Sequence, residues 1–208
     1  MESSNTIQKP FSIILFDLGN VLVRVDYGGF LRTLGFDHEM AARELYELLE
    51  EDSRAYEMGK VTAEEFLGVI NAKLQRSYTF EEFRRAWVSI LPSPVPGVSK
   101  LVERLVSEYR LMLLSNTNEL HFRHSTESFP ILRHFERCFL SYQVGALKPE
   151  PAIYQCVLKD VDVPPRQVLF IDDLEQNVQA GRNAGMVGVV FRGADSLQSE
   201  LKRLGVIL

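Results

Sequence analysis

Four short apolar runs, each set apart by helical or polar sequence, organise the chain. Residues 12–16 (SIILF) are rich in branched side chains and stop abruptly at Asp17-Leu18-Gly19-Asn20. A run apolar on both faces reads as a strand buried within a parallel sheet. The same form recurs at 110–114 (RLMLL, then Ser115-Asn116), at 167–171 (QVLFI, then Asp172-Asp173) and at 187–191 (VGVVF). Helical spacing fills the intervals. Val98, Leu101, Val102, Leu105, Val106 and Tyr109 precede the second run; Ile153, Val157 and Leu158 share a face within 149–159; Leu174 to Ala184 is closed by Gly185. Strand and helix in alternation specify an α/β fold with a doubly wound, mostly parallel sheet, a Rossmann-like core.

Residues 27 to 93 break that alternation with helical pattern alone. Asp37 is placed to cap a helix through about Leu49, with Met40, Ala41, Leu45, Leu48 and Leu49 as its stripe. Thr62-Ala63-Glu64-Glu65 and Thr79-Phe80-Glu81-Glu82 both match the capping box, in which Thr and the later Glu satisfy each other's free backbone donors. Phe66, Leu67, Ile70 and Leu74 line one helix; Phe83, Trp87, Ile90 and Leu91 line the next. Pro92, Pro94 and Pro96 end the segment stiffly. The predicted organisation is a core of residues 1–25 and 94–208 with a helical cap, 26–93, inserted after the first strand. The first ten residues are expected to fray.

Composition narrows the function classes. The 208 residues suffice for a sizeable core, and 46% hydrophobic with 25% charged is an ordinary globular mix. A net charge of −5 argues against a nucleic-acid partner that binds by counterion release. No apolar run reaches the ~18–20 residues that cross a bilayer, and MESSNTIQKP lacks a secretory pattern, so neither membrane nor export is expected. Cys138 and Cys156 read as two buried thiols, which fits a reducing cytoplasm.

Polar residues at the carboxyl ends of parallel strands mark where open α/β sheets place active sites. Here they are Asp17, Ser115 and Asp172-Asp173, joined by Lys148 in the loop Gly145-Ala146-Leu147-Lys148-Pro149. Together they fit one reaction class. A carboxylate attacks phosphorus and forms an aspartyl-phosphate, dividing a hard hydrolysis into two displacements. A dianionic phosphate repels a carboxylate, so a cation must lie between them, and Mg²⁺ favours carboxylate, phosphate and water oxygens. Lys148, the Ser115 hydroxyl and groups near Asn116 meet the remaining charge.

In these motifs the chain resembles the haloacid dehalogenase-like (HAD) hydrolases. The resemblance lies in FDLGNVLV (16–23), MLLSNTN (112–118), GALKPEPAIY (145–154) and FIDDLEQNVQAG (170–181), with the helical insert where the family's C1-type cap belongs. DLGNVLV, LSNTNELH and KPEPAIY look like the bacterial branch acting on α-glucose-1-phosphate. The resemblance implies Asp17 as nucleophile and metal ligand, Asp172 as direct metal ligand, and Asp173 as a ligand directly or through water. It gives phosphate binding to Ser115, Lys148 and Asn116. The implied substrate is a small phosphorylated metabolite.

One position departs from the family pattern. Most relatives carry a second Asp two residues after the nucleophile as general acid and base; here Gly19 offers only a carbonyl, itself a candidate metal ligand. Without that acid, substrates with stable leaving anions, such as sugar 1-phosphates, are expected to react best. Asp26 or His121 are the sequence's candidates for a substitute, against readings as a loop carboxylate and a solvated helix-start histidine. Tyr27, Phe30 and Tyr56 are placed either in the substrate pocket or in the cap's own core. Two other readings stay open: a 2-haloacid dehalogenase using Asp17, opposed by the acidic pair, and a dormant binding protein that keeps the fold.

Overall fold

The computed structural model describes residues 9–36 and 39–208. In chain order its elements are β1 (Ile13–Phe16), α1 (Tyr27–Thr33), α2 (Glu39–Glu57), α3 (Ala63–Leu74), α4 (Phe80–Val88), α5 (Val98–Leu105), β2 (Arg110–Ser115), α6 (Glu119–Ser128), β3 (Arg137–Leu140), α7 (Ser141–Val144), α8 (Pro151–Asp160), β4 (Val168–Asp172), α9 (Glu175–Asn183), β5 (Val187–Val190) and α10 (Ala194–Arg203). The strands form one sheet in the order β3-β2-β1-β4-β5, with every neighbouring pair parallel. The chain builds β2 and β3 on one side of β1, then crosses to build β4 and β5 on the other. That reversal beside β1 opens a crevice at the strands' carboxyl ends.

Side chains alternate across the sheet, yet both faces are covered. Ile14, Phe16, Leu111, Leu113, Leu169 and Ile171 join one core with Val98, Leu101 and Val102 of α5 and Leu197 and Leu201 of α10. Ile13, Leu15, Met112, Leu114, Val168 and Phe170 join the other, with Ile153, Tyr154 and Val157 of α8. Double burial is why these strands read as unbroken apolar runs rather than alternating ones. β3 escaped that reading because its Arg137 is exposed and Cys138 half-buried, leaving only Phe139 and Leu140 inside. Both cysteines are free and partly buried rather than fully so, since neither lies on a central strand.

Between β1 and β2 the described chain is helical. Both capping boxes form: Thr62 Oγ1 accepts from Glu65 N at 3.1 Å while Thr62 N donates to Glu65 Oε2 at 2.8 Å. Thr79 and Glu82 repeat the exchange at 3.3 and 2.8 Å. An aromatic cluster holds these helices together, with Trp87 5.0 Å from Phe66 and 5.7 Å from Phe83 between ring centroids. α2 runs on to Glu57 instead of stopping near Leu49. Leu45 and Leu49 are buried as expected, but Leu48 is 43% exposed, because it sits about a quarter turn off the line through Leu45, Leu49 and Tyr56. Val106 is likewise exposed, one residue past the end of α5. The expected cap at Asp37 and most of the expected fraying N-terminus lie outside the described residues.

The chain leaving β1 and the chain returning to α5 run side by side. Arg24 N donates to Ser93 O at 2.8 Å, Val95 N to Leu22 O at 2.9 Å and Asp26 N to Ile90 O at 2.8 Å.

Candidate active site

β1 and β4 are in register with Phe16 opposite Ile171, and Asp17 N donates to Ile171 O at 2.8 Å. The residue after β1 and the last residue of β4 are therefore neighbours at the crevice floor. Lys148 Nζ lies between them, 2.7 Å from Asp17 Oδ1 and 2.6 Å from Asp172 Oδ2, with its side chain 1% exposed. Oxygens of Asp17, Asp172 and Asp173 all fall within 4.8 Å of one another. Ser115 closes the wall at the end of β2, buried, its Oγ donating to Asn116 O at 3.3 Å.

Each charged group is braced. Asp172 Oδ1 accepts from Leu174 N at 2.9 Å and from Asn177 Nδ2 at 3.0 Å, and Tyr154 Oη fixes Asn177 by donating to its carbonyl at 2.8 Å. Asn20 adopts a left-handed backbone (φ 53°), from which Nδ2 donates to Asp173 Oδ2 at 3.3 Å and Oδ1 accepts from Val25 N at 3.1 Å. The Asn116 side chain is committed to the Lys148 backbone rather than open to a ligand. Asn20, Tyr154 and Asn177 were not singled out from sequence; Asn177 carries a signal only in hindsight, five residues after Asp172 on the helix that follows.

The electrostatics follow from packing three carboxylates in a buried corner. Burial pushes Asp17 up to about 7; Lys148 opposes this, while Asp172 and Asp173 add repulsion. Burial also raises Asp173, reinforced by Asp172 and countered by Asn20. Desolvation acts to lower Lys148, but the attraction of Asp17 and Asp172 outweighs it and holds the ammonium charged. A compact set of carboxylate oxygens with one ammonium carries surplus negative charge, the hard-oxygen donor set that suits Mg²⁺.

The candidates for a substitute acid fare differently. His121, expected to be solvated, is buried: its ring stacks on Trp87 at 4.9 Å, and Nε2 donates to Trp87 O at 2.9 Å. A carbonyl only accepts, so Nε2 carries the proton and Nδ1 accepts from Asn118 Nδ2 at 3.2 Å. Burial lowers its pKa to about 4, so it is neutral and fully engaged. Asp26 pairs with Arg32 at the start of α1. Phe30 and Tyr56 are core residues of the helical segment, Phe30 edge-on to Trp87 and Tyr56 stacked on Phe66, whereas Tyr27 is exposed.

A family model described as haloacid dehalogenase-like hydrolase matches residues 11–185. The chain is 29% identical over 184 residues to a D-ribitol-5-phosphate phosphatase of Bacteroides thetaiotaomicron, covering 83% of this chain and 87% of that one. It is 39% identical over 72 residues to the rat bifunctional epoxide hydrolase 2, covering 35% of this chain but 13% of that longer protein. A HAD family enzyme of Bacteroides thetaiotaomicron, solved as its magnesium complex, superposes with a TM-score of 0.81 at 27% identity, covering 94% of this chain and 100% of that one. The same enzyme with magnesium and inorganic phosphate gives 0.74 at 26% identity over 88% and 95% of the two chains. Among the described residues no helix is long and apolar enough to cross a membrane.

Proposed function

Because the chain belongs to the haloacid dehalogenase-like hydrolase family, we propose that it is a Mg²⁺-dependent phosphomonoesterase of small phosphorylated metabolites, working through an aspartyl-phosphate on Asp17. The observation that carries this reading is Lys148 Nζ bridging Asp17 and Asp172 beside Asp173. A nucleophile for phosphorus needs cations around it, and a corner with three carboxylates and one ammonium is built to take one more. Asp17, Asp172, Asp173 and the Gly19 carbonyl would hold the metal, whose charge lets a carboxylate approach a phosphate dianion.

In this reading Asp17 attacks phosphorus as the ester oxygen leaves. Lys148 and the Ser115 hydroxyl bind the phosphoryl oxygens, and Asn116 acts by fixing the Lys148 backbone. Residues 26–93 are a cap over the crevice, and the paired connectors at Leu22–Asp26 and Ile90–Val95 are its hinge. A phosphorylated sugar or polyol is the substrate class, in keeping with the ribitol phosphatase relative; sugar 1-phosphates are its finer form, from the missing carboxyl at Gly19. Halide displacement from a neutral carbon brings no cation, and would leave Asp17, Asp172 and Asp173 sharing the one ammonium of Lys148.

Purified protein offered sugar 1-phosphates, sugar 6-phosphates, ribitol 5-phosphate and 2-chloropropionate, with Mg²⁺ or with chelator, tests this. Phosphate release that needs metal is expected. Chelator-resistant halide release, or silence on every compound, would overturn the proposal.

A further inference from the structure

The end of α2 is pressed against α7 and against the loop that follows Lys148. Glu57 O accepts from Ser141 Oγ at 2.6 Å, and that buried hydroxyl also accepts from Thr117 N at 2.9 Å, two residues past Ser115. Two residues on, a Cβ at Gly59 would run into the Tyr142 carbonyl, so only glycine lets the backbones meet there. On the previous turn Arg54 lies 3.7 Å from Glu150, two residues past Lys148.

This docking fixes the backbone from which the Glu57 side chain projects. Glu57 is half-buried, and among the described residues no donor or cation bonds to its carboxyl. The charges that act on it are Arg54, from its own helix, and Lys148, from the loop opposite. Burial raises it to about 7 against both, so it holds a proton near neutrality where an ordinary glutamate does not. A carboxyl close enough to feel the charge of a phosphate-directed lysine, without a structural bond to make, is free to serve a substrate. His121 and Asp26 are both spent elsewhere.

We propose that Glu57 is the general acid and base of this site, supplying from α2 the carboxyl that Gly19 does not. The inference rests on the phosphomonoesterase reading above. As the bond from phosphorus to Asp17 forms and that to the ester oxygen breaks, the ester oxygen takes the Glu57 proton and leaves as an alcohol. Glu57, now a carboxylate, takes a proton from the water that attacks phosphorus. The bond to Asp17 breaks, inorganic phosphate leaves, and Glu57 is protonated again. With a proton delivered, phosphates of primary alcohols become substrates alongside sugar 1-phosphates.

Glu57→Gln tests this by rapid mixing with Mg²⁺, using 4-nitrophenyl phosphate and ribitol 5-phosphate in parallel. Gln keeps the shape, removes no hydrogen bond and cannot ionise where burial penalises the charge, so an unfolding midpoint at or above that of the wild type is expected near neutral pH. The aryl ester needs no proton to leave, so the variant should give a near-normal burst of one nitrophenol per site and then stall. Transfer from ribitol 5-phosphate should fall by about 100-fold or more. In the wild type, transfer from the alkyl ester should slow above about pH 7 relative to the aryl ester, with Asp17, Arg54 and Lys148 common to both. Equal effects of the variant on the two esters, or none, with no pH divergence, would overturn the role of Glu57 and leave the phosphatase reading standing. A wild type inactive on both esters would overturn both.

Discussion

The Asn116 side chain grips the Lys148 backbone at both ends: Oδ1 accepts from Lys148 N at 2.7 Å, and Nδ2 donates to Lys148 O at 2.9 Å. Asn116 follows β2, and Lys148 sits 32 residues later in a loop with no regular structure of its own. The amide thus transfers the rigidity of the sheet to the ammonium. Asn116→Ala is expected to cut kcat roughly 100-fold, as small misplacements of catalytic groups do, while KM moves little. The unfolding midpoint should fall, the two orphaned groups of the Lys148 backbone costing about 1–3 kcal/mol. Steady-state kinetics beside thermal unfolding measure this, and an unchanged kcat would contradict it.

Lys148→Ala leaves Asp17 and Asp172 facing each other without their shared cation. Removing one member of a buried charge pair costs about 3–5 kcal/mol. Calorimetry without metal should show that loss, and added Mg²⁺ should recover more stability in the variant than in the wild type. Lys159→Ala, at the end of α8, should be nearly silent in stability and in turnover. Similar mild effects at both lysines would mean that Lys148 is an ordinary charge.

The sheet and the chemical corner were legible because each rests on a strong local signal. Runs apolar at every position announce central parallel strands, and Asp17, Ser115 and Asp172 each stand where such a run stops. Lys148 lies on no strand and was found through its motif. What stayed hidden depends on contacts between distant segments. Glu57 looks like any helix-end glutamate until Ser141 and Gly59 dock that helix end on α7, a few residues before Lys148. His121 reads as a solvated helix start because nothing local foretells that Trp87, 34 residues earlier, stacks on it. β3 has too few buried positions to make a pattern.

His121 should leave a mark on stability against pH. Its folded pKa of about 4 lies below the ordinary 6.5, so below pH 6.5 the unfolded chain binds the proton first. Its contribution is complete above pH 6.5 and is lost as pH falls towards 4, by about 3 kcal/mol in all. Raised carboxyls such as Asp17 and Glu57 act in the opposite sense, so the test is a difference. Denaturant unfolding of wild type and His121→Gln should show the wild type losing ground between pH 6.5 and 4. Parallel curves would place His121 in an ordinary, solvated state.

Two glycines predict opposite outcomes for one substitution. A Cβ on Gly181 of α9 would lie 2.7 Å from the Phe170 ring, on the strand that ends in Asp172, whereas Gly68 of α3 has open space. Gly181→Ala should cost about 1–3 kcal/mol by overpacking, and Gly68→Ala should gain roughly 0.5–1 kcal/mol by restricting the unfolded chain. Thermal unfolding distinguishes them, and shifts of the same sign would be contrary to this packing.

The covalent role of Asp17 is open to direct capture. A single turnover with radiolabelled sugar phosphate and Mg²⁺, quenched in acid within the first cycle and mapped by peptide, should place label on the segment containing Asp17. That label should discharge in neutral hydroxylamine, as an acyl phosphate does, and be missing from Asp17→Asn. Phosphate release with no protein-bound label at any time, or label on Ser115 instead, would contradict an aspartyl-phosphate at this site.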